Sequence, residues 1–164
     1  MAKKKAPHHH PEGEILALCV KDTDAAYQLD QLCFTPGIAF DREVFEYCLH
    51  SPDCLALGVK TPKGKLLGFI ILQSKGQRAA QVVTIDVQPG HRRQGIADRL
   101  MAMALSILTR NRIRLIFLQV APDNPAGQAL YRKWGFQPQS LIQDYYGEGL
   151  DALMMARELK PEKS

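Results

Sequence analysis

Apolar and polar positions change their period along the chain, and each change marks an element. An apolar-rich run from Ile15 to Val20 predicts a strand. A helix is predicted from about Asp22 to Cys33, followed by a loop at Pro36-Gly37 and a short helix from Asp41, a plausible N-cap, to about Leu49. Three strands come next, Cys54 to Lys60, Leu66 to Ser74 and Ala80 to Val87. The turns Thr61-Pro-Lys-Gly64 and Lys75-Gly-Gln-Arg78 join them at hairpin spacing. After Gly90 the period lengthens: Ile96, Leu100, Met103, Ala104, Ile107 and Leu108 recur at three and four residues, as one buried stripe of a helix ending near Asn111 requires. A strand from Ile113 to Val120 follows, then an amphipathic helix from Asn124 or Pro125 to Trp134, closed by Gly135 as a left-handed cap. Two strands, about Phe136 to Gln143 and Leu150 to Arg157, complete the pattern.

The strand, long helix, strand unit in the middle implies a right-handed parallel crossover, whereas the hairpin-spaced strands before it imply antiparallel pairing. The expectation is a mixed α/β sheet with helices on both faces. A length of 164 residues suits one domain, and 46% hydrophobic against 23% charged residues excludes a disordered chain. Residues 1–13, rich in Lys, His, Pro and Gly, are expected to be a disordered tail, residues 14–159 a single domain, and residues 160–164 a frayed end.

Charge changes the picture only through its location. The net +4 invites a nucleic-acid partner, yet residues 11–159 carry 16 groups of each sign, so the excess lies in the flanks and a nucleic-acid role is not expected. Within the neutral body, residues 11–59 hold 2 basic and 9 acidic groups, while residues 91–114 hold 6 basic groups and only Asp98. Cys19, Cys33, Cys48 and Cys54 form no C-x-x-C pair and none lies in the motif segment described next, so reduced, inert thiols in the cytoplasm are the expectation. No signal peptide or membrane span is read, and no metal site is expected, His8 to His10 being assigned to the tail.

The stretch from Val83 to Ala97 carries the chemistry. A strand runs through a Pro-Gly turn into basic residues and Gly95 at the opening of a helix. A helix start offers free N–H groups and the positive end of its dipole, and Gly95 and Ala97 lack the bulk that would hold an anion away. This is a phosphate cradle, but neither G-x-x-x-x-G-K-[ST] nor G-x-G-x-x-G is present.

Arg92-Arg-Gln-Gly-Ile-Ala97 fits the [Q/R]-x-x-G-x-[G/A] motif of the GNAT N-acetyltransferases. The segment from Leu118 to Phe136 resembles the next strand and helix of that family, and Tyr145 to Met155 resembles the ending of its ribosomal-protein-alanine and related protein N-terminal acetyltransferases. The resemblance implies the GNAT fold: about seven strands, mostly antiparallel, with a central parallel pair that splays apart. It implies acetyl-CoA as co-substrate, with its pantetheine arm along Ile85, Asp86 and Val87 and its pyrophosphate on Arg92, Arg93, Gln94, Gly95, Ile96 and Ala97. Asn124 matches a position near the reactive end of the cofactor, and also suits an N-cap; both roles are compatible. Tyr131 matches the tyrosine that protonates the departing thiolate, and a phenol with an ordinary pKa near 10 is a reasonable donor.

At the proton acceptor the pattern breaks. Gln119 stands where relatives keep Glu or His, and Gln81 where histone-type members keep Glu. An amide accepts no proton at neutral pH, so Gln119 positions a water at best, with Asp86 or Glu148 as conceivable destinations for the proton. An α-amine, of pKa about 7.7–8.0, is roughly a quarter neutral near pH 7.4, against about one part in a thousand for lysine at about 10.4. The expected reaction is direct transfer of acetyl to the α-amine of a protein N-terminus. A small amine, a lysine, or acetyl-CoA binding without turnover are the alternatives. The resemblance places the acceptor between the first helix-loop-helix, about Leu32 to Phe45, and the late loop with Tyr145 and Tyr146. Phe34 and Phe40 are candidates to shape its pocket, with core packing the alternative for either, and adjacent strand tyrosines face opposite ways, so at most one of the two is expected to face the site.

Overall fold

The computed structural model describes residues 13–161. Seven strands form one sheet: β1 (Glu14–Ala17), β2 (Cys54–Lys60), β3 (Leu66–Ser74), β4 (Ala79–Val87), β5 (Leu115–Val120), β6 (Gln137–Gly147) and β7 (Leu150–Glu158). Their order is β1-β2-β3-β4-β5-β7-β6, and only the central β4–β5 pair is parallel. Helices α1 (Thr23–Cys33) and α2 (Arg42–His50) cover one face, packing Ala26, Leu29 and Phe45 on Phe69 and Ile71. Helices α3 (Ile96–Arg110) and α4 (Pro125–Lys133) cover the other, with Leu100, Met101, Ala104 and Tyr131 against Ile70, Val82, Ile116 and Leu118. The fold is thus the expected α/β arrangement with a seven-stranded mixed sheet.

Several boundaries differ from the sequence reading. The first strand stops at Ala17 rather than Val20, because the chain turns through a short 3-10 segment, Val20–Asp22. Asp22 fixes that turn: its carboxylate accepts from the Cys19 N–H at 2.9 Å and pairs with Lys60 of β2. In α3 the buried stripe is Ile96, Leu100, Met101, Ala104, Leu105 and Leu108; Met103 is exposed and Ile107 half-buried. The helix is apolar around more than half its girth, so spacing alone admitted a stripe rotated from the true one. β5 begins at Leu115 because Arg112, at φ +61, redirects the chain after α3. β6 runs on to Gly147, past the expected end at Gln143, and carries Tyr145 and Tyr146 within the strand. Of the two flanks, residues 1–12 and 162–164, including His8 to His10, lie outside the described residues.

Two irregularities in β4 position the site. Pairing with β5 runs only from Ala79↔Leu115 to Val82↔Leu118, after which the strands separate. Val83 to Val87 and Gln119 to Val120 therefore present inner edges whose backbone groups are not bonded to each other. Against β3, Ile71 stands opposite Thr84 and Leu72 opposite Val82, leaving Val83 as an extra, bulged residue. The bulge resets the alternation, so that Ile85 and Val87 pack toward the α3 side while Thr84 and Asp86 turn toward α1.

Candidate active site

The split opens into a cavity of about 730 Å³, whose walls come from six parts of the chain. Residues Val82 to Val87 supply one side, Gln119 to Ala121 the other, and the loop before α3 closes one end with His91, Arg92, Arg93 and Gly95. The end of α1 contributes Cys33 and the segment after it Phe34, Ile38 and Phe40, and α4 contributes Leu130 and Tyr131, with Asn124 at its start and Tyr146 arriving from β6.

The basic end is built by backbone geometry as much as by charge. Gly95 caps α3 with φ +80 and ψ +10, a left-handed conformation that a side chain disfavours, and a Cβ placed there would meet nothing within 4 Å. The first turn of α3 has no side-chain cap for its N–H groups, and Gly95, Ile96 and Ala97 of this helix start line the cavity. Arg93 also has a positive φ, +60, and Arg92 donates through Nε to the Val87 carbonyl at 3.3 Å, which draws its side chain back along β4. Asp98 would oppose an anion here, but it is bonded to Lys133 at 2.7 Å and to the Trp134 indole N–H at 2.7 Å. Gln94 is exposed and stands outside the cavity lining, whereas Ile96 and Ala97 are part of it.

Near the apex of the split, Gln119 accepts through Oε1 a 2.7 Å hydrogen bond from the Gln81 amide. The two amides at the positions expected to hold a base are thus tied to each other by one hydrogen bond. Asn124 accepts from the Gly127 N–H at 2.9 Å and lines the cavity, so it is both N-cap and site residue. Tyr131 is buried, stacked edge-on against Phe136 with ring centroids 5.8 Å apart, and its burial pushes the phenol above its ordinary range. It stays protonated throughout the neutral range. Tyr146 faces the cavity, its phenol pushed up to about 12 by burial, while Tyr145 points to solvent. Asp144, at φ +53, twists the strand just before the pair, and the two rings meet edge-to-face at 4.9 Å. Phe34 and Phe40 both line the cavity, and Phe40 also packs on Phe45. Glu148, in the turn after β6, is exposed and apart from the lining.

Three lining or supporting groups escaped the sequence reading. Cys33 lies in the wall and donates to the Val87 carbonyl at 3.4 Å; burial, then the nearby Asp86 carboxyl, raises its thiol pKa. Thr84 donates its hydroxyl to Asp86. Asp30, wholly buried in α1, accepts from the Phe40 N–H at 2.8 Å and faces Asp86. A signal for Asp30 was present, because it occupies the same helical face as Ala26 and Leu29. All four cysteines are free thiols, and no cluster of metal-ligating side chains occurs among the described residues. No helix of the described residues is long and apolar enough to cross a membrane.

Comparison with known proteins agrees with this geometry. The model of the Acetyltransferase (GNAT) family matches residues 23–136. An N-alpha-acetyltransferase RimI of Mycobacterium tuberculosis is 35% identical over 127 residues, covering 75% of each chain. The [Ribosomal protein bS18]-alanine N-acetyltransferase of Escherichia coli is 31% identical over 145 residues, 87% of this chain and 95% of its own. The crystal structure of the ribosomal-protein-S18-alanine N-acetyltransferase from Escherichia coli superposes with a TM-score of 0.80 at 25% identity, covering 93% of this chain and 98% of that one. A split central strand pair, a left-handed glycine opening a helix in a basic loop, and these matches make one case: the chain belongs to the GNAT family of acetyltransferases, enzymes that take their acetyl group from acetyl-CoA.

Proposed function

We propose that the protein acetylates the α-amine of a protein N-terminus by direct attack within a ternary complex. The observation that carries this reading is the continuous cavity that joins the basic loop to Tyr131, Tyr146 and the aromatic segment after α1. The pantetheine arm lies in the split and bonds the free inner edge of β4 at Ile85, Asp86 and Val87. The pyrophosphate rests on the loop from Arg92 to Ala97, which is supported by the uncapped helix start and the open space at Gly95. Asn124 and Gln119 border the thioester end.

The neutral amine nitrogen attacks the thioester carbonyl carbon. The oxyanion that forms is met by N–H groups of the splayed β4 edge, the nitrogen releases its surplus proton, and collapse of the intermediate breaks the C–S bond as Tyr131 gives its proton to the sulfur and is reprotonated from solvent. Phe34 and Phe40 shape the side on which the first residue of the acceptor sits, and Tyr146 bonds its backbone. The relatives named for N-alpha and ribosomal-protein alanine acetylation support a protein N-terminus over other amines.

The test is release of free CoA with peptides that have a free N-terminus, and with the same peptides acetylated at that end but carrying an internal lysine. Turnover confined to the free N-terminus is expected. Turnover only on lysine or on small amines overturns the acceptor assignment, and tight acetyl-CoA binding with no turnover on any amine overturns the activity.

A further inference from the structure

The site lacks a carboxylate at positions 81 and 119, yet it holds two elsewhere: Asp86, already a conceivable destination for the proton, and Asp30, which the sequence did not single out. Asp86 lies on the floor of the cavity at 1% exposure, and Asp30 lies behind it at 0%. Asp30 uses Oδ2 for the Phe40 N–H, and Asp86 uses Oδ1 for the Thr84 hydroxyl. Asp30 Oδ1 and Asp86 Oδ2 are left, both buried and both without a partner among the remaining groups. The two carboxyls lie within hydrogen-bonding reach of each other. Two bare carboxylates in that position would repel strongly, and an unpaired buried charge is costly, so the arrangement is stable when the pair holds one proton between them.

We propose that the Asp30–Asp86 pair, carrying one shared proton, is the acceptor of the proton lost by the attacking amine, in place of the base absent at positions 81 and 119. The proposal rests on the acetyl-transfer reading above. As the amine nitrogen bonds to the carbonyl carbon, its proton passes to Asp86 and the proton already held moves to Asp30. The C–S bond breaks, and the sulfur leaves with the proton of Tyr131. The pair, now holding two protons, returns one to solvent, and the tyrosinate recovers its own. Asp86 is the group placed to meet substrate; Asp30 is a positioning residue that sets how strongly Asp86 holds a proton.

The surroundings of Asp86 suit a base rather than a fixed ion pair. It is faced from α1 by Asp30 and the Cys33 thiol, from its own strand by Thr84, from α4 by the Tyr131 phenol with Tyr146 beyond it, and from the following loop by Arg92. Arg92 is the one cation among these, and it is exposed and turned toward the Val87 carbonyl. Burial pushes Asp30 up to about 6, and burial together with the Asp30 charge raises Asp86 well above the usual carboxylate range. A pair that takes up its second proton near 6 lies a little below the α-amine, at about 7.7–8.0, which is the range in which general bases work at neutral pH.

The proposal is tested by pH profiles of kcat/KM for the full chain with acetyl-CoA and a free-N-terminus peptide. The native profile should carry two ionisations on its acid side, the amine's own at about 7.7–8.0 and the pair's near 6, so that log kcat/KM falls with a slope approaching about 2 below pH 6. In Asp86→Asn the ionisation near 6 should vanish, leaving a slope of about 1 set by the amine at about 7.7–8.0, and the plateau at high pH should fall by roughly 10²-fold or more, the usual worth of a general base. In Asp30→Asn, which keeps an acceptor for the Phe40 N–H, burial still holds Asp86 up, so the acid-side ionisation should persist at or above about 6 where Asp86→Asn abolishes it, a split that a purely structural role would not produce. Profiles of both variants that superimpose on the native one overturn the proposal while leaving the acetyl-transfer reading intact. Carbon NMR of labelled aspartate provides a readout that needs no turnover: two raised, coupled carboxyl titrations, one of them near 6, are expected in the native protein and only one raised titration in Asp30→Asn, and the absence of any raised titration from the native protein overturns the shared proton.

Discussion

Replacing Gly95 by alanine separates what the helix start does for the fold from what it does for the cofactor. With φ at +80, an alanine there takes on the left-handed penalty of about 1–2 kcal/mol. For a chain of this length each kcal/mol lowers Tm by about 2–4 °C, so the free protein should melt about 2–8 °C lower. The new methyl meets no protein atom within 4 Å, and so stands in the open mouth where a phosphate must approach the N–H groups of the first turn. Losing one charge-assisted hydrogen bond of about 1.5–3 kcal/mol weakens CoA binding roughly 10- to 150-fold. Gly76, in the turn between β3 and β4, is the control: its φ is +76, a Cβ would again meet nothing within 4 Å, and it lies away from the cavity. Gly76→Ala should therefore lose similar stability and bind CoA normally. Calorimetric titration with CoA and melting of the free proteins give the two quantities independently. At a CoA concentration of about 100 native Kd, the native protein gains about 2.7 kcal/mol, and a tenfold weaker variant about half that. Equal CoA affinity in Gly95→Ala and Gly76→Ala would refute the placement of the pyrophosphate at this helix start.

Tyr131→Phe should lower kcat by roughly 10²-fold or more and leave acetyl-CoA affinity within a few-fold, because the ring keeps its packing on Phe136 and only the proton donor is lost; equal kcat would remove Tyr131 from the reaction. Gln119→Glu should fold with a stability change under about 1 kcal/mol, since the Gln81 amide still donates to the carboxylate, and denaturant unfolding measures it directly. The Asp30–Asp86 pair should also leave a mark on stability. Both folded-state pKa values are raised above the ordinary 3.8, so the protonated pair's contribution is complete below about pH 4 and is lost as pH climbs through 6 and above. Asp30→Asn lacks that loss, and should gain on the native protein by about 2–3 kcal/mol between pH 4 and pH 8 in urea unfolding, a rise from 3.8 to about 6 being worth about that much. A difference between the two proteins that does not change with pH would count against the pair.

What the sequence made legible follows a physical division. Elements whose residues answer to local rules were readable: the hairpin strands β2, β3 and β4, the Gly135 cap at φ +82, the Asn124 cap, and the glycine-opened start of α3. Features set by tertiary context were not. The end of β1 depends on a hydrogen bond that Lys60 donates to Asp22, 38 residues earlier in the sequence, and the choice of Met101 and Leu105 over Met103 and Ile107 depends on which side the sheet lies. Only pairing with β3 reveals Val83 as a bulge, and the bulge decides that Asp86 turns to α1 instead of following simple alternation.

That last point bears on the chemistry. A strand with an uninterrupted alternation would place Asp86 on the same face as Val82, under α3 and α4, where it would have to be paired or replaced by an apolar residue. The inserted residue sends it to the face where α1 carries Asp30, so a one-residue irregularity brings together two acids 56 positions apart in the chain. The same bulge begins where β4 leaves β5, at Val82. The local twist it adds both opens the split for an extended ligand and turns Asp86 toward its partner acid. Cofactor groove and proton site therefore share a cause, and a change that restores regular pairing at Val83 should close one and dismantle the other together.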